Sequence, residues 1–472
     1  MRARFCSWPW RPELLVLTAL AALTRFWGLF SPHAVVFDEV HYEKFVAEYL
    51  AHVFYVDVHP PLANQIFALA ARLFHVSIAT LAHPDPAPVL RIVPALAGTL
   101  IIPVFYLLLR RLGATRALAT LGAALLMCDN ALLVESRVLV PDSMLVLFGL
   151  SAVTVFLLAR GRVGRARAWR LVVAALLAGL AVSIKWTGLS ALGLIGLIWA
   201  VDVRRARMPW RRWTLEGAQL LAIPLALYMS VFAVHFAWMT HSGPGDMWMS
   251  PQFRATLVAD QKYQPDAHMS FAAKFVELNV VMRRADAFLV GGKKGESSSW
   301  YTWPLIEHAI SFWAAPADAD GRRATIFLAG NPVIWYGIPI ALLAAAVGWA
   351  RRPERFAPWR KPLAILGAAY AINFLPFAAI ERIMYQYSYF MAFVFSLALA
   401  VLGIGVAAGF PAAAVADNTR LWTFPSRRVA AAYWGVLALA VISFLYYAPV
   451  SYGWPLSPAA FDQRFWFVER HF

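Results

Sequence analysis

Charged residues are scarce in this chain. Aspartate, glutamate, lysine and arginine make up only 14% of its 472 residues, whereas hydrophobic residues make up 61%. The mean hydropathy is +0.60. A soluble domain carries about 25% charged residues to cover its surface. The composition therefore excludes an ordinary soluble protein and predicts an all-α polytopic membrane protein, whose apolar helices face lipid.

Cysteine, internal repeats and low-complexity tracts are also lacking. The two cysteines, Cys6 and Cys128, are expected near opposite sides of the membrane, so they cannot form a disulfide framework. Many transporters are built from repeated halves with charges near the membrane midplane, and neither feature is evident here. These absences argue against a disulfide-rich secreted domain and against a transporter.

Acidic residues are fewer than basic ones, and the basic residues are unevenly distributed. The 42 Lys and Arg against 26 Asp and Glu give a net charge of +16. Twenty-four of the 42 lie in six short loops between apolar runs. Such loops face the cytoplasm in membrane proteins, so the charge indicates topology and no nucleic-acid partner is expected. The loops contain Arg2 to Arg11, Arg110 to Arg116, Arg160 to Arg170, Arg204 to Arg212, Arg351 to Lys361 and Arg420 to Arg428.

Eleven apolar spans fit between these loops, each long enough or nearly long enough to cross a bilayer. They place the N-terminus inside and the C-terminus outside. The first span follows three arginines, as in a signal peptide, but no cleavage site follows, so an uncleaved helix is expected. The spans are 13–30, 89–109, 117–134, 138–159, 171–184, 187–202, 215–238, 333–350, 362–379, 387–409 and 430–450.

This topology divides the chain into three parts. Residues 1–240 form an N-terminal membrane module whose outer loop spans 31–88. Residues 241–332 form a second large outer loop, and residues 333–472 form a C-terminal module of four helices.

The first outer loop contains two predicted helices at the membrane interface. Tyr42, Val46, Tyr49 and neighbouring apolar residues repeat at helical spacing. Pro60-Pro61 then breaks the chain, and residues 62–76 show a second apolar face.

The same loop concentrates carboxylates and imidazoles. Asp38 and Glu39 are adjacent at a predicted helix start, where one carboxylate can act as general base toward an acceptor hydroxyl while its neighbour positions the acceptor. The alternative is helix capping by Asp38 with Glu39 in the first turn. His41, Asp57 and His59 are expected to support the acceptor, and no diagnostic spacing predicts a metal site. Ionisable residues at membrane depth are usually functional, which favours catalysis.

Five basic residues lie at the predicted outer ends of spans, against the positive-inside pattern. A lipid phosphate at this surface would explain them, because guanidinium groups bind phosphate through two parallel hydrogen bonds. For the arginines the alternative is pairing with Asp129, Glu135, Asp142 or Glu381, or contact with lipid headgroups. For Lys185 the favoured alternative is anchoring at the interface together with Trp186. The predicted phosphate-binding residues are Arg25, Arg91, Arg137, Lys185 and Arg382.

Several segments resemble, in order, those of the protein O-mannosyltransferases. The first loop carries FDEVHYEKFVAEYL and DVHPPLANQ, which are similar to the signature loop of that family. The further segments are LTRFWGL, LRIVPALAGTL, DNALLVESRVLVPDS, IKWTGL and GNPVIWYG. The resemblance implies a GT-C glycosyltransferase fold with the essential acidic pair at Asp38 and Glu39, a second loop acid at Asp57, and lipid-phosphate arginines at Arg25, Arg91 and Arg137.

Two departures from the family pattern are visible. The β-trefoil MIR domain of eukaryotic members does not fit into residues 239–332, which implies a bacterial member in the inner membrane with a periplasmic active site. The late His-Tyr motif of the family is replaced by Tyr385-Gln386-Tyr387-Ser388.

The resemblance implies transfer of mannose from polyprenyl phosphate mannose, a lipid-linked co-substrate, to Ser or Thr of exported proteins. No metal or other cofactor is expected to be required, because basic side chains can stabilise the departing phosphate. One alternative is a related transferase that acts on a lipid or envelope glycan, like the aminoarabinose transferases. A more distant alternative is a transporter of polyprenyl-linked sugar.

Overall fold

The computed structural model describes residues 11–82, 87–288, 298–380, 384–412, 421–465 and 469–471, and these are mostly helical. The helices up to the second outer loop are α1 (Pro12–Phe26), α2 (Glu39–Ala51), α3 (Leu62–Leu73), α4 (Ile78–Ala82), α5 (Ile92–Arg111), α6 (Arg116–Met127), α7 (Asn130–Glu135), α8 (Asp142–Ala159), α9 (Gly164–Ile184), α10 (Leu189–Ala206) and α11 (Trp210–Trp238). The later helices are α12 (Pro251–Arg254), α13 (Phe271–Phe288), α14 (Pro332–Arg351), α15 (Pro353–Phe356), α16 (Arg360–Phe374), α17 (Phe390–Ala407), α18 (Arg427–Tyr452) and α19 (Pro458–Asp462).

Nine helical segments in the described part of the chain are long and apolar enough to cross a membrane. They coincide with nine of the predicted spans, which confirms a polytopic, mostly helical membrane protein. The segments are Pro88–Arg111, Asp142–Ala159, Gly164–Ile184, Trp186–Ala206, Trp210–Trp238, Pro332–Arg351, Pro353–Ala379, Gln386–Ala407 and Arg427–Tyr452.

The other two predicted spans fall on shorter helices. The span at 13–30 is helical over the 15 residues of α1, after which Gly28 adopts a left-handed backbone with φ of +56°. The span at 117–134 is interrupted after Met127. Asp129 begins the next helix, because its carboxylate accepts a hydrogen bond from the Leu132 N–H at 2.8 Å. An aspartate cap therefore divides what reads as one apolar run into α6 and α7.

Both predicted helices of the first outer loop are present, but they lie differently. Helix α2 buries Tyr42 and Val46. Helix α3 packs on it through Phe67, whose ring centroid lies 5.8 Å from that of Tyr42. Leu69 and Leu73 of α3 remain 58% and 68% exposed. Helix α3 thus presents an apolar face outward, as expected of an interfacial helix, whereas the apolar face of α2 is packed inside the protein.

Ion pairs join the helix ends that carry the basic loops. They connect the start of α1 with α6, the end of α8 with α10, and the start of α9 with α11. The pairs are Glu13–Arg116 (2.7 Å), Arg160–Asp202 (2.7 Å) and Arg167–Glu216 (2.6 Å). These ends, called the basic end below, meet at one face of the helix bundle. The opposite ends of α1, α5 and α9 lie at Arg25, Arg91 and Lys185 and are called the outer end.

A small sheet, which was not predicted, covers part of the outer end. Its strands are β1 (His308–Ala314), β2 (Arg323–Leu328), β3 (Pro455–Leu456) and β4 (Glu469–His471). The strand order is β3-β2-β1-β4, with β1 antiparallel to β2 and parallel to β4. The second outer loop is therefore joined to the end of the chain through backbone hydrogen bonds.

Candidate active site

Strand β1 holds the backbone just before Asp38. Phe37 has a φ of +51°, a left-handed conformation that is strained for a bulky residue. Its N–H donates to the Phe312 carbonyl at 2.9 Å, and the two rings stack with centroids 4.1 Å apart. Tyr385 and Tyr387 contact the same Phe37 ring edge-on, each with centroids 6.2 Å away. This aromatic cluster fixes the direction in which the chain enters α2.

Asp38 occupies the position before α2, yet its side chain makes no capping hydrogen bond. Helix capping is therefore not the role of this carboxylate, which has no hydrogen-bond partner among the described residues. It is half-buried. Burial raises the pKa of Asp38 above its usual value, and Asp142 adds to the increase, whereas His41 and Lys185 act in the opposite direction. A carboxylate with a raised pKa and free lone pairs is suited to accept a proton.

Glu39 differs from its neighbour because it is fully engaged. Its side chain is buried, and its two oxygens receive Nε and Nη2 of Arg91, both at 2.7 Å. The same oxygens accept the N–H groups of Val36 at 2.8 Å and Leu139 at 2.9 Å. Glu39 thus ties α2 to α5 and to the segment before α8.

The predicted phosphate ligand Arg91 is engaged just as completely. Besides Glu39, its guanidinium donates to the carbonyls of Leu29 (3.5 Å), Pro32 (3.0 Å) and Ala34 (2.8 Å). Its exposed fraction is 1%. All five N–H groups have protein acceptors, so Arg91 has no free donor for a lipid phosphate.

Arg137 binds the turn after α1. It donates to the carbonyls of Arg25 (2.8 Å), Trp27 (2.6 Å) and Gly28 (3.0 Å), and its guanidinium lies 4.5 Å from the ring centroid of Tyr452. The role that the structure supports directly is therefore the shaping of this turn.

Arg25 is completely buried at the end of α1. Its Nη1 donates to Thr24 Oγ1 at 2.9 Å and to the Met127 carbonyl at 3.3 Å. Within the described part of the chain, its Nε and Nη2 have no hydrogen-bond partner. The predicted contact of Arg25 with a lipid phosphate would need an opening toward the membrane, because no part of this guanidinium reaches the surface.

Lys185 is the predicted cation whose positive charge lowers the pKa of Asp38. Its ammonium group pairs with Asp142 at 2.6 Å and lies 5.5 Å from the ring centroid of Tyr387. Its side chain is 11% exposed. The interfacial anchoring considered for this residue is thus replaced by a buried ion pair. The remaining predicted cation, Arg382, lies outside the described residues.

Asp57 and His59 lie on a second segment of the first outer loop. Asp57 accepts the His59 N–H at 3.2 Å and Nδ2 of Asn64 at 3.0 Å. Burial raises the pKa of Asp57 to about 6, and these hydrogen bonds limit the increase. Asn64 was not singled out from the sequence, although it is part of the DVHPPLANQ segment.

The second outer loop supports this segment from the other side. Phe54 N–H donates to the His241 carbonyl at 2.8 Å, and Gly245 N–H donates to the Phe54 carbonyl at 3.3 Å. A side chain at Gly243 would collide with that same carbonyl, which explains a glycine at this close approach.

The remaining predicted residue of the first outer loop, His41, is exposed near Asp38. Within the described residues, no three His, Cys, Asp or Glu side chains come together as a metal site.

Two sequence models of one family match nearly the whole chain. Residues 15–240 match the model described as dolichyl-phosphate-mannose-protein mannosyltransferase. Residues 271–470 match the C-terminal four-helix region of protein O-mannosyltransferase. The chain belongs to the protein O-mannosyltransferase family.

Curated members of this family align with part of the chain. Protein O-mannosyl-transferase 1 of Danio rerio is 32% identical over 271 residues, which is 52% of this chain and 36% of that protein. Dolichyl-phosphate-mannose--protein mannosyltransferase 1 of Candida albicans is 32% identical over 260 residues, which is 51% of this chain and 30% of that protein. The matched segment thus spans about a third of these protein O-mannosyltransferases.

The fold is similar to that of a solved family member. The S. cerevisiae protein O-mannosyltransferase Pmt1-Pmt2 complex, which was solved with its sugar donor, matches with a TM-score of 0.83 and 16% identity. The match covers 98% of this chain and 92% of that one. The oligosaccharyltransferase AglB of Archaeoglobus fulgidus matches with a TM-score of 0.52 and 15% identity, over 94% of this chain and 56% of AglB. These matches confirm the predicted GT-C fold.

Proposed function

We propose that this protein transfers mannose from polyprenyl phosphate mannose to Ser or Thr hydroxyls of exported proteins, with inversion at the anomeric carbon. The observation that carries the proposal is the carboxylate of Asp38. It is half-buried, has a raised pKa, and makes no hydrogen bond within the described residues. Family membership supports the choice of sugar, donor and acceptor.

In this mechanism, Asp38 takes the proton of the acceptor hydroxyl as the hydroxyl oxygen attacks the anomeric carbon. A new glycosidic bond forms while the bond between that carbon and the phosphate oxygen breaks. The electron pair of the broken bond leaves with the polyprenyl phosphate. Attack from the face opposite the phosphate inverts the anomeric configuration in one displacement, without a covalent enzyme intermediate.

The surrounding charges have separate roles in this scheme. Lys185, whose charge acts on Asp38 and which pairs with Asp142, is the cation that we assign to the departing phosphate. Glu39 and Arg91 position Asp38 indirectly. Glu39 accepts the Val36 N–H and the Arg91 guanidinium, and these bonds fix the backbone next to Asp38. Arg137 and Arg25 shape the turn after α1. Asp57, His41 and His59 line the approach of the acceptor. The scheme requires no metal ion or other cofactor.

The proposed location is the bacterial inner membrane, with the active site on the periplasmic side. Asp38 and Lys185 lie at the outer end of the bundle, away from the basic loops, and basic loops remain in the cytoplasm. A lipid-linked donor reaches such a site from the bilayer. The yeast relative was solved with its sugar donor, which supports a donor of this class.

The test is transfer by purified protein in detergent, with polyprenyl phosphate mannose of known anomeric form and a Ser/Thr-rich peptide. We expect mannosylated peptide whose anomeric signal in NMR is opposite to that of the donor, with activity that persists in EDTA. A parallel reaction contains a total extract of envelope lipid and glycan. Product in that extract alone would contradict the protein acceptor. Retention of configuration would contradict direct displacement.

A further inference from the structure

Tyr387 contacts two parts of the candidate active site that lie far apart in the sequence. Its ring lies edge-on to the ring of Phe37, the residue before Asp38, with centroids 6.2 Å apart. The ammonium group of Lys185 lies 5.5 Å from the centroid of the same ring, within the distance of about 6 Å at which an aromatic face attracts a cation. One side chain therefore contacts both the neighbour of the proposed base and the cation assigned to the phosphate. The mechanism above gives Tyr387 no role.

The backbone that carries Tyr387 is held by later helices of the chain. Tyr387 lies in a single 3₁₀ turn, Gln386–Tyr389, directly before α17. The ring of buried Tyr389 packs against Trp335 of α14 and Phe374 of α16, with centroids 5.5 Å and 5.4 Å away. Tyr387 is thus presented from a packed turn, which is what a group that supports a reactive site requires.

Lys185 needs such a support because a lysine ammonium group is a point charge on a flexible four-carbon stem. The ion pair with Asp142, at 2.6 Å, restrains the ammonium group through one contact. The ring of Tyr387 adds a second contact. Because the same ring touches Phe37, this second contact also fixes the cation relative to the residue before Asp38.

We propose that Tyr387 is a positioning residue for the transfer: its ring holds the ammonium group of Lys185 at a fixed place relative to Phe37, and therefore relative to Asp38. This inference rests on the proposed function. Transfer needs the base on the acceptor side of the anomeric carbon and the cation on the phosphate side, so the separation of the two groups must match the sugar between them. A misplacement of about 1 Å can lower the rate about a hundredfold. Tyr387 acts through Lys185 and touches neither substrate.

Removal of the ring tests the proposal. Tyr387→Leu keeps an apolar side chain without an aromatic face, so we expect the kcat for mannose transfer to fall about tenfold or more. The KM for polyprenyl phosphate mannose should stay within about twofold, because the second charge of the phosphate develops only as its bond to the sugar breaks. Tyr387→Phe keeps the ring and should restore most of the parental kcat. If Tyr387→Phe were as slow as Tyr387→Leu, the ring would not be the part that acts, and the proposal would be wrong.

The pH profile separates positioning from a loss of structure. The charge of Lys185 lowers the pKa of Asp38. When Tyr387→Leu frees the ammonium group to move away, the pKa of Asp38 should rise, and the acidic limb of kcat/KM should move to higher pH. A loss of folded protein would lower the rate equally at every pH and leave that limb in place. The other ionisable groups that interact with Asp38, all unchanged in this variant, are His41, Tyr42, Glu135 and Asp142.

Phe312→Leu is the matched control. It removes a ring that stacks on Phe37 with centroids 4.1 Å apart, and it leaves the contact between Lys185 and Tyr387 in place. The backbone hydrogen bond from Phe37 N–H to the carbonyl of residue 312 also remains. The acidic limb of this variant should therefore coincide with that of the parent.

The outcomes separate the two proposals. If the unmodified protein transfers no mannose to any peptide, the proposed function is wrong, and this inference falls with it. If transfer occurs but Tyr387→Leu keeps the parental kcat, or its acidic limb stays with that of Phe312→Leu and the parent, the positioning role of Tyr387 alone is wrong.

Discussion

The two ends of the helix bundle use their carboxylates differently. At the basic end, Glu13 and Glu216 each meet a guanidinium at 2.6–2.7 Å. At the outer end, Glu39 is paired in the same way, but Asp38 beside it has no such partner among the residues that the structure describes. A paired carboxylate connects helices and holds its charge, whereas an unpaired, half-buried one can exchange a proton. The comparison shows that two adjacent acidic residues can differ completely in their partners, since Glu39 is fully engaged and Asp38 makes no hydrogen bond within the described residues.

The largest expected effect comes from Asp38. Asp38→Asn keeps the size of the side chain and removes only its ability to accept a proton. Transfer of mannose should fall about a thousandfold, within the range of 10²–10⁴ that general-base catalysis contributes. Initial rates with a radiolabelled donor measure this change. Asp266→Asn, an exposed carboxylate of the second outer loop, is the matched control and should retain parental activity. If the Asp38→Asn variant kept the parental rate, Asp38 would not be the general base, and its lack of a partner would have no catalytic meaning.

The next effect concerns stability at Glu39. Glu39→Gln leaves the buried guanidinium of Arg91 without its counter-charge, which costs about 3–5 kcal/mol when a buried ion pair loses one member. Thermal unfolding in detergent should show a clearly lowered transition temperature. The double variant Glu39→Gln with Arg91→Met removes both charges and should recover part of the loss. A single variant as stable as the parent would mean that Glu39 is not a structural tie.

The pH response of Asp57 is a smaller effect with a definite sign. Its pKa is raised to about 6 in the folded protein, against an ordinary value of 3.8. The folded state therefore binds more protons than the unfolded state between these values, so the contribution of Asp57 to stability is present at low pH and is lost as the pH rises through about 6. The asparagine of Asp57→Asn cannot titrate. The stability of the parent relative to this variant should therefore fall as the pH rises from about 4 to about 6. A constant difference from pH 4 to pH 7 would show that Asp57 is not buried in this way.

Much of the fold could be predicted because apolar length and loop charge are local properties. The run at 142–159 is long and apolar in the sequence, and it is a long helix in the structure. The break at Asp129 was missed because the sequence does not show what an aspartate inside an apolar run does. It can cap a new helix, as here, or it can lie within a continuous helix and contact a neighbouring one. The sheet was missed because it joins residues 308–314 with residues 469–471, and such distant pairing leaves no local pattern.

The candidate site could be predicted in position but not in partners. The sequence placed Asp38 and Glu39 at a helix start near the membrane, and the structure has α2 begin there. Nothing in the local sequence shows that Arg91, 52 positions away, uses all of its donors on Glu39 and backbone carbonyls. An arginine at the end of a span reads the same whether it binds a phosphate or a buried carboxylate, because both offer paired oxygens to one guanidinium.

The smallest expected effect lies at the basic end and tests the other half of the comparison. Arg212 bonds Glu216 at 3.0 Å, but its side chain is 42% exposed. Glu216 keeps two shorter bonds from the buried Arg167 when Arg212 is removed. Arg212→Ala should therefore cost less than about 1 kcal/mol, as solvent-exposed pairs generally do. Thermal unfolding of Arg212→Ala and Glu39→Gln, measured side by side, compares the stability lost at the two ends. If Arg212→Ala lost as much stability as Glu39→Gln, burial would not explain the difference between the two ion pairs. The exposed Arg212 would then stabilise the bundle as strongly as the buried Arg91 does.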